Sequence, residues 1–351
     1  MTPNQNIMHA LSPLGHLYGR IMSLRNALYN RGYLKTHWLP APTIAVGNIT
    51  TGGTGKTPTV VFLANLLRDL GLHPGIIMRG YASKSESGLD SDELLLYRRL
   101  LPGVPVVANP DRLIAGRSVL EQNADVILAD DAFQHRRLGR DFNLCLVDAV
   151  SPFGGGKILP AGHLREPLTG LSRADLFIVT RADQVSQNVL DEIRSHLEYF
   201  APFTPILTAS HCPGSLSDIS NKKYSLESLA GRKIFAFAAI GRPEAFYATL
   251  KSLGADILAH RSFRDHHRFT IDDLFVLRDS VKNLSASALV CTAKDLVKFT
   301  PDMLVRAGVP NDFLLALDID IAMSAADSNL LFEKLSVLTK NFSRQALAAI
   351  Q

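Results

Sequence analysis

Residues 50–57, Thr-Thr-Gly-Gly-Thr-Gly-Lys-Thr, constrain this chain more than any other stretch. They stand between an apolar β-like run, Thr43-Ile44-Ala45-Val46, and a helical pattern over Val60–Leu67. Strand, glycine-rich turn, Lys-Thr and helix together are the architecture of a phosphate-binding loop. Glycines let backbone N–H groups turn toward an anion without a Cβ in the way. The helix that follows directs its positive end at the same spot. Thr50, Thr51, Gly52, Gly53, Thr54, Gly55, Lys56 and Thr57 are thus the candidate nucleotide-binding residues, Lys56 for the β/γ-phosphates and Thr57 for Mg²⁺. The strict pattern has Gly where Thr50 stands, and a glycine-rich turn that binds nothing is the alternative.

Beyond the loop, strands alternate with helices. Gly75–Met78, Val104–Val107, Asp125–Ala129, Phe142–Val147 and Leu176–Val179 read as strands. That alternation predicts a parallel sheet with helices on both faces and ligands at the C-terminal strand ends. A polar stretch over Cys212–Lys223 reads as a linker, and a second βα run follows it. At 351 residues the chain suits two domains. The expected divisions are an N-terminal helix over 1–35, a phosphate-loop domain over 36–212 and a second α/β domain over 213–326. The segment 327–351 is expected to return to the first domain.

Composition excludes several classes. A net charge of +4 is too mild to point to nucleic acid. The three cysteines are far apart, and Cys145 and Cys291 sit in apolar runs, as buried thiols of a reducing compartment do. No run approaches a membrane span and no signal peptide is evident, so a cytoplasmic protein is expected. No obligate protein partner is evident either. In residues 11–31, Leu11, Leu14, Leu17, Tyr18, Ile21, Leu24, Leu28 and Tyr29 recur at helical spacing, with Arg20, Arg25 and Arg31 and no acid among them. Such a helix either packs on the protein's own core or lies in a membrane interface.

Several groups near strand ends can carry chemistry. Asp130 and Asp131 close an apolar run, where nucleotide enzymes hold Mg²⁺; a turn or helix cap is the alternative. Asp92 and Glu93 open a helix, as dipole-favoured acids or as a general base. Asp265-His266-His267 offers an imidazole beside a carboxylate. In the long Gly/Pro-rich loop after Phe153, Arg165 suits a phosphate clamp, and Glu166 suits either the metal or an Arg partner.

Taken in order, these segments resemble the tetraacyldisaccharide 4′-kinase (lipid A 4′-kinase) family. The resemblance rests on Val46-Gly47-Asn48-Ile49-Thr50 leading into the loop and Pro58, Arg79-Gly80-Tyr81, Asp92-Glu93, and Asp130-Asp131 with Phe133-Gln134-His135. Leu164-Arg165-Glu166-Pro167, Gly241-Arg242-Pro243, Phe263 with Asp265-His266-His267, and Thr292 with Lys294-Asp295 complete it. It spans roughly residues 10–300, and Thr50 is what this family carries. Met78, Ser91, Leu94, Ala132 and Ala293 depart from the family's usual residues at supporting positions.

The resemblance implies an ATP- and Mg²⁺-dependent kinase that phosphorylates the 4′-hydroxyl of a tetraacylated glucosamine disaccharide 1-phosphate. Lys56 and Thr57 would bind ATP phosphates and Mg²⁺. Asp130, Asp131 and Glu166 would serve the metal, with Asp131 and Arg165 at the γ-phosphate. Asp92, paired with His266, would activate the hydroxyl once the second domain closes. A lipid with several acyl chains cannot leave a bilayer cheaply, at about 0.8 kcal/mol per CH₂. The resemblance therefore favours the interfacial reading of the N-terminal helix and a peripheral place on the cytoplasmic face of the inner membrane. A membrane-associated nucleotide switch and a kinase of a soluble metabolite remain the alternatives.

Overall fold

The structure, a computed structural model, describes residues 11–80 and 91–348. Tyr81 of the Arg-Gly-Tyr segment, residues 1–10 of the expected N-terminal element and residues 349–351 lie outside the described residues. The described residues form two compact units, one of residues 11–80, 103–211 and 321–348 and one of residues 91–102 and 212–320.

The first unit is built on parallel strands β1 (Thr43–Asn48), β2 (Pro74–Met78), β3 (Val106–Ala108), β4 (Val126–Asp130), β5 (Phe142–Asp148), β6 (Leu176–Thr180) and the first part of β7 (Ile206–Asp218). Their order is β7-β6-β5-β1-β4-β2-β3. Every residue of β1, β2, β4 and β6 is buried. That follows from their unbroken apolar runs, which suit strands covered on both faces. Val46 pairs with Asp130 and Asp148 with Thr180, so the loop after β1 and the acids ending β4 and β5 emerge at one sheet edge. The C-terminal helix Ala325–Ala348 belongs to this unit. Asp327 in its first turn accepts hydrogen bonds from Thr208 N (3.1 Å) and Oγ1 (3.0 Å).

The second unit contains β8 (Lys223–Tyr224), β9 (Lys233–Ala238), β10 (Asp256–Ser262), β11 (Ala288–Thr292) and β12 (Leu314–Met323), with β10-β9-β11-β12 parallel. Its core includes Phe237, Phe269 and Phe299, whose rings meet at 4.7–6.0 Å. Strands β7 and β12 carry the chain from one unit to the other.

Two expectations are corrected here. Cys212–Asp218 is not a linker but the second half of β7, paired antiparallel with β8. Its polar residues point at partners rather than solvent, Ser215 and Ser217 both donating to Asp318. The helix Asp92–Leu100, expected within the phosphate-loop domain, groups with the second unit. Ser91 caps it by accepting from Leu94 N, and Arg99 near its end donates to Ser217 Oγ (2.9 Å) and the Asp218 carbonyl (2.6 Å).

Candidate active site

In the first unit the phosphate loop is fixed from both sides. Asn48, the last residue of β1, donates its amide to the Thr50 carbonyl (2.9 Å) and hydroxyl (3.2 Å). Thr50 is buried, and its hydroxyl is an acceptor that a glycine would lack. From the opposite side Thr51 N donates to His163 O (2.8 Å), and Thr50 bridges Leu164. Thr180 at the end of β6 donates to the Thr54 carbonyl (3.0 Å). Gly52 (φ 112°) and Gly55 (φ 81°) take backbone conformations that a side chain disfavours. Gly55 then caps the helix Lys56–Asp69, with Thr57 half-buried in its first turn. A Cβ on Gly55 would collide with His211 Nε2. Burial, reinforced by Arg181, holds that imidazole below its ordinary pKa.

Asp130 ends β4 buried, and Asp131 turns out of the strand with φ 49°. Asp131 meets two cations, with Lys56 Nζ 3.5 Å away and Arg165 Nη1 2.8 Å from both carboxylate oxygens. Burial raises its pKa, but Lys56 and Arg165 together outweigh burial and hold the carboxyl below its usual range. Lys56, Asp131 and Arg165 thus converge beside the loop. Among the described residues, no group of three or more His, Cys, Asp or Glu forms a metal cage. The hydroxyl of Thr57 and the carboxylates of Asp130 and Asp131 are hard oxygen donors. They fit Mg²⁺, which is held by one or two carboxylates together with substrate phosphates rather than by an all-protein cage.

Glu166 is placed differently from the metal role the resemblance gave it. It is fully buried, and both its oxygens are engaged. Oε1 accepts from Gln134 Nε2 (2.9 Å) and Arg173 Nη2 (2.7 Å), and Oε2 accepts from Asn26 Nδ2 (2.9 Å). This is a paired, hydrogen-bonded buried carboxylate, the form in which burial of a charge is tolerated.

The N-terminal helix spans Ser12–Asn30. Its buried positions are Gly15, Gly19 and Met22, whereas Leu14, Leu17, Ile21 and Leu24 are 53–62% exposed. Arg20 and Arg31 are exposed. Arg25, grouped with them on sequence, instead donates to the Gln134 carbonyl (3.2 Å) and lies over the Tyr29 ring.

In the second unit, His266 Nδ1 lies 3.4 Å from Asp92 Oδ2. Lys294 Nζ is 3.3 Å from the other ring nitrogen, Nε2. An ammonium has no lone pair, so Nε2 accepts and Nδ1 carries the hydrogen directed at Asp92. His267 is engaged elsewhere, 3.0 Å from Asp273 and stacked on Phe263, which assigns the Asp92 contact to His266 alone of the two. Asp265 lies 3.9 Å from Nε2, so the carboxylate nearest the ring is that of Asp92. Lys298 adds a cation 3.7 Å from Asp92, anchored at 2.9 Å to the fully buried Asp295. Sequence reasoning missed Asn26, Arg173 and Lys298. Only Lys298 left a local signal, three residues after Asp295.

A parallel sheet, a glycine loop capping a helix and a Lys-Asp-Arg set at the strand ends define a P-loop nucleotide-binding protein. More narrowly, the chain belongs to the Tetraacyldisaccharide-1-P 4'-kinase family, whose model matches residues 7–336. The tetraacyldisaccharide 4'-kinase of Syntrophus aciditrophicus is 39% identical over 314 residues, covering 83% of each chain. That of Halothermothrix orenii is 34% identical over 344 residues, covering 90% of this chain and 89% of its own. The crystal structure of LpxK from Aquifex aeolicus in complex with ATP superposes with a TM-score of 0.75 at 30% identity, covering 96% of this chain and 99% of that one.

Proposed function

We propose that this chain transfers the γ-phosphoryl group of ATP to the 4′-hydroxyl of a tetraacyldisaccharide 1-phosphate, a step of lipid A biosynthesis. The observation that carries this reading is the contact of Asp92 with His266, in a chain that also has Lys56 and Arg165 on Asp131. Phosphoryl transfer needs positioning and charge neutralisation at the nucleotide and a base at the acceptor hydroxyl. Lys56 and the loop N–H groups bind the phosphates, and Arg165 stabilises charge on the transferring group. Thr57, Asp130 and Asp131 would hold Mg²⁺, which when bound neutralises phosphate charge. Asp92 accepts the hydroxyl proton, and His266 Nδ1–H orients that carboxylate.

The exposed Leu14, Leu17, Ile21 and Leu24, with Arg20 and Arg31, support a peripheral place on an anionic bilayer surface, the cytoplasmic face of the inner membrane. Among the described residues no helix is long and apolar enough to cross a membrane. A nucleotide switch would leave Asp92 and His266 without work.

Radiolabelled ATP with the disaccharide lipid in mixed micelles tests the proposal. Label is expected in the lipid with the native chain and nearly none with Asp92→Ala. ATP turnover that ignores added lipid would overturn it.

A further inference from the structure

The inner face of the N-terminal helix rests on the segment that borders the phosphate loop. A Cβ on Gly15 would fall 3.0 Å from the Ile158 carbonyl and 3.1 Å from Ala161 Cβ, so any side chain there crowds the seat and the helix or its neighbour must give by a few tenths of an ångström. Three turns further on, Asn26 Nδ2 donates to Glu166 at 2.9 Å. Gln134, which also holds Glu166, donates from the same nitrogen to the Asn48 carbonyl (2.7 Å) at the entrance to the loop. Arg165, which immediately precedes Glu166 in the chain, donates its backbone N–H to Ile49 O (2.8 Å) and its side chain to Asp131. A path of direct hydrogen bonds therefore runs from the helix through Glu166 and Gln134 to the entrance of the loop, and the peptide bond between Glu166 and Arg165 extends it to the Arg165 clamp.

We propose that Asn26 is a positioning residue of the nucleotide site, and that the seated helix is part of the scaffold fixing Arg165 and the loop. Nucleotide affinity then depends on Asn26 even with no lipid or membrane present. The inference rests on reading the site as one for ATP. Glu166 is buried without access to water, so losing one donor leaves its charge under-compensated. The carboxylate shifts toward its remaining partners and carries its neighbour Arg165 with it. The inner, polar part of the helix thus serves the nucleotide, and its outer face is left for a surface.

The test is Mg-ATP binding by calorimetry on the full chain in lipid-free buffer, with steady-state kinetics alongside. Asn26→Leu is expected to weaken ATP binding and raise its KM by about tenfold, the usual scale for a group that orients a primary ligand. The KM for the lipid acceptor stays within about twofold. Gly15→Leu, which removes no polar group but lifts the helix, moves ATP affinity in the same direction, and exposed Ser23→Ala leaves it unchanged. Should Asn26→Leu fail to fold, Asn26→Ser carries the same measurement with a hydroxyl too short to reach Glu166. Native-like ATP affinity in the folded Asn26 variant and in Gly15→Leu overturns the coupling. A native chain that binds no ATP overturns the nucleotide reading itself, and the coupling with it.

Discussion

Arg165 donates from one guanidinium nitrogen to both carboxylate oxygens of Asp131, at 2.8 Å each. With Lys56 it keeps that carboxyl below its usual range against the opposing effect of burial. A carboxyl depressed in the folded state adds stability above its unfolded pKa and loses it as pH falls through the folded value. Arg165→Met therefore moves the Asp131 titration upward. The acid limb of the rate profile is expected to shift to higher pH, and kcat to drop about 10²–10³-fold as a stabilising cation is lost. A pH profile of kcat/KM for both proteins checks this; superimposable acid limbs sink it.

Asp92 and His266 make a different demand. Asp92→Asn keeps the shape but removes the proton acceptor, so kcat is expected to fall about 10²–10⁴-fold, the usual share of a general base. ATP affinity stays at the native value, since the residue serves the acceptor hydroxyl. His266→Ala lowers kcat less, because it only orients the carboxylate. Equal ATP binding with sharply different turnover, read by calorimetry and single-turnover kinetics, is the expected pattern.

The phosphate loop and the alternation of strands were legible because each depends on neighbours in sequence: an apolar run, a glycine turn, a helical stripe. Glu166 was not. Its donors come from residues 26, 134 and 173, and nothing near Glu166 in sequence marks it as enclosed. Its carboxylate, adjacent to Arg165, therefore reads equally well as a metal ligand. The polar end of β7 was misread for a related reason. Ser215 and Ser217 look solvated in sequence, but Asp318, about a hundred residues later, takes their hydrogen bonds. Pairing of Asp92 with His266 entered only through the family resemblance, because the two residues lie far apart in the chain.

Lys298 is nearly buried and bonds Asp295 at 2.9 Å. Asp295 also accepts from Ala239 N (3.0 Å) and Thr292 Oγ1 (2.7 Å). Lys298→Met removes the only formal positive charge paired with this carboxylate among the described ion pairs. A loss of about 3–5 kcal/mol in unfolding free energy is expected, as for other broken buried pairs. Denaturant titration measures it, and a change under about 1 kcal/mol would mean that the backbone and hydroxyl donors suffice.

The outer face of the N-terminal helix makes the membrane reading measurable. Fully burying a leucine is worth about 1.5–3 kcal/mol, and Leu17, Ile21 and Leu24 are each a little over half exposed. Replacing all three by serine is expected to weaken flotation with anionic liposomes by about a hundredfold or more. Raised salt weakens the native interaction further through Arg20 and Arg31. Flotation unchanged by the triple substitution would falsify interfacial binding by this face.

His135 offers a test by pH alone. Burial, with Arg112 and Arg140 close by, lowers its pKa to about 4. In the unfolded chain the ring returns to its ordinary value near 6.5. The folded state therefore binds its proton more weakly, and the sign follows directly. Above about pH 6.5 the ring is neutral in both states and costs nothing; between about 6.5 and 4 the unfolded state gains the proton first and is favoured. Stability should fall as pH drops through that window and level off, for this group, below about 4. His135→Gln removes the ring's contribution without placing a charge there. Its melting temperature should decline less steeply than that of the native chain between pH 6.5 and 4, while the two curves run parallel above pH 7. Equal slopes across the acid window would show that His135 finds a protonated partner geometry on acidification, contrary to a ring partly buried among arginines.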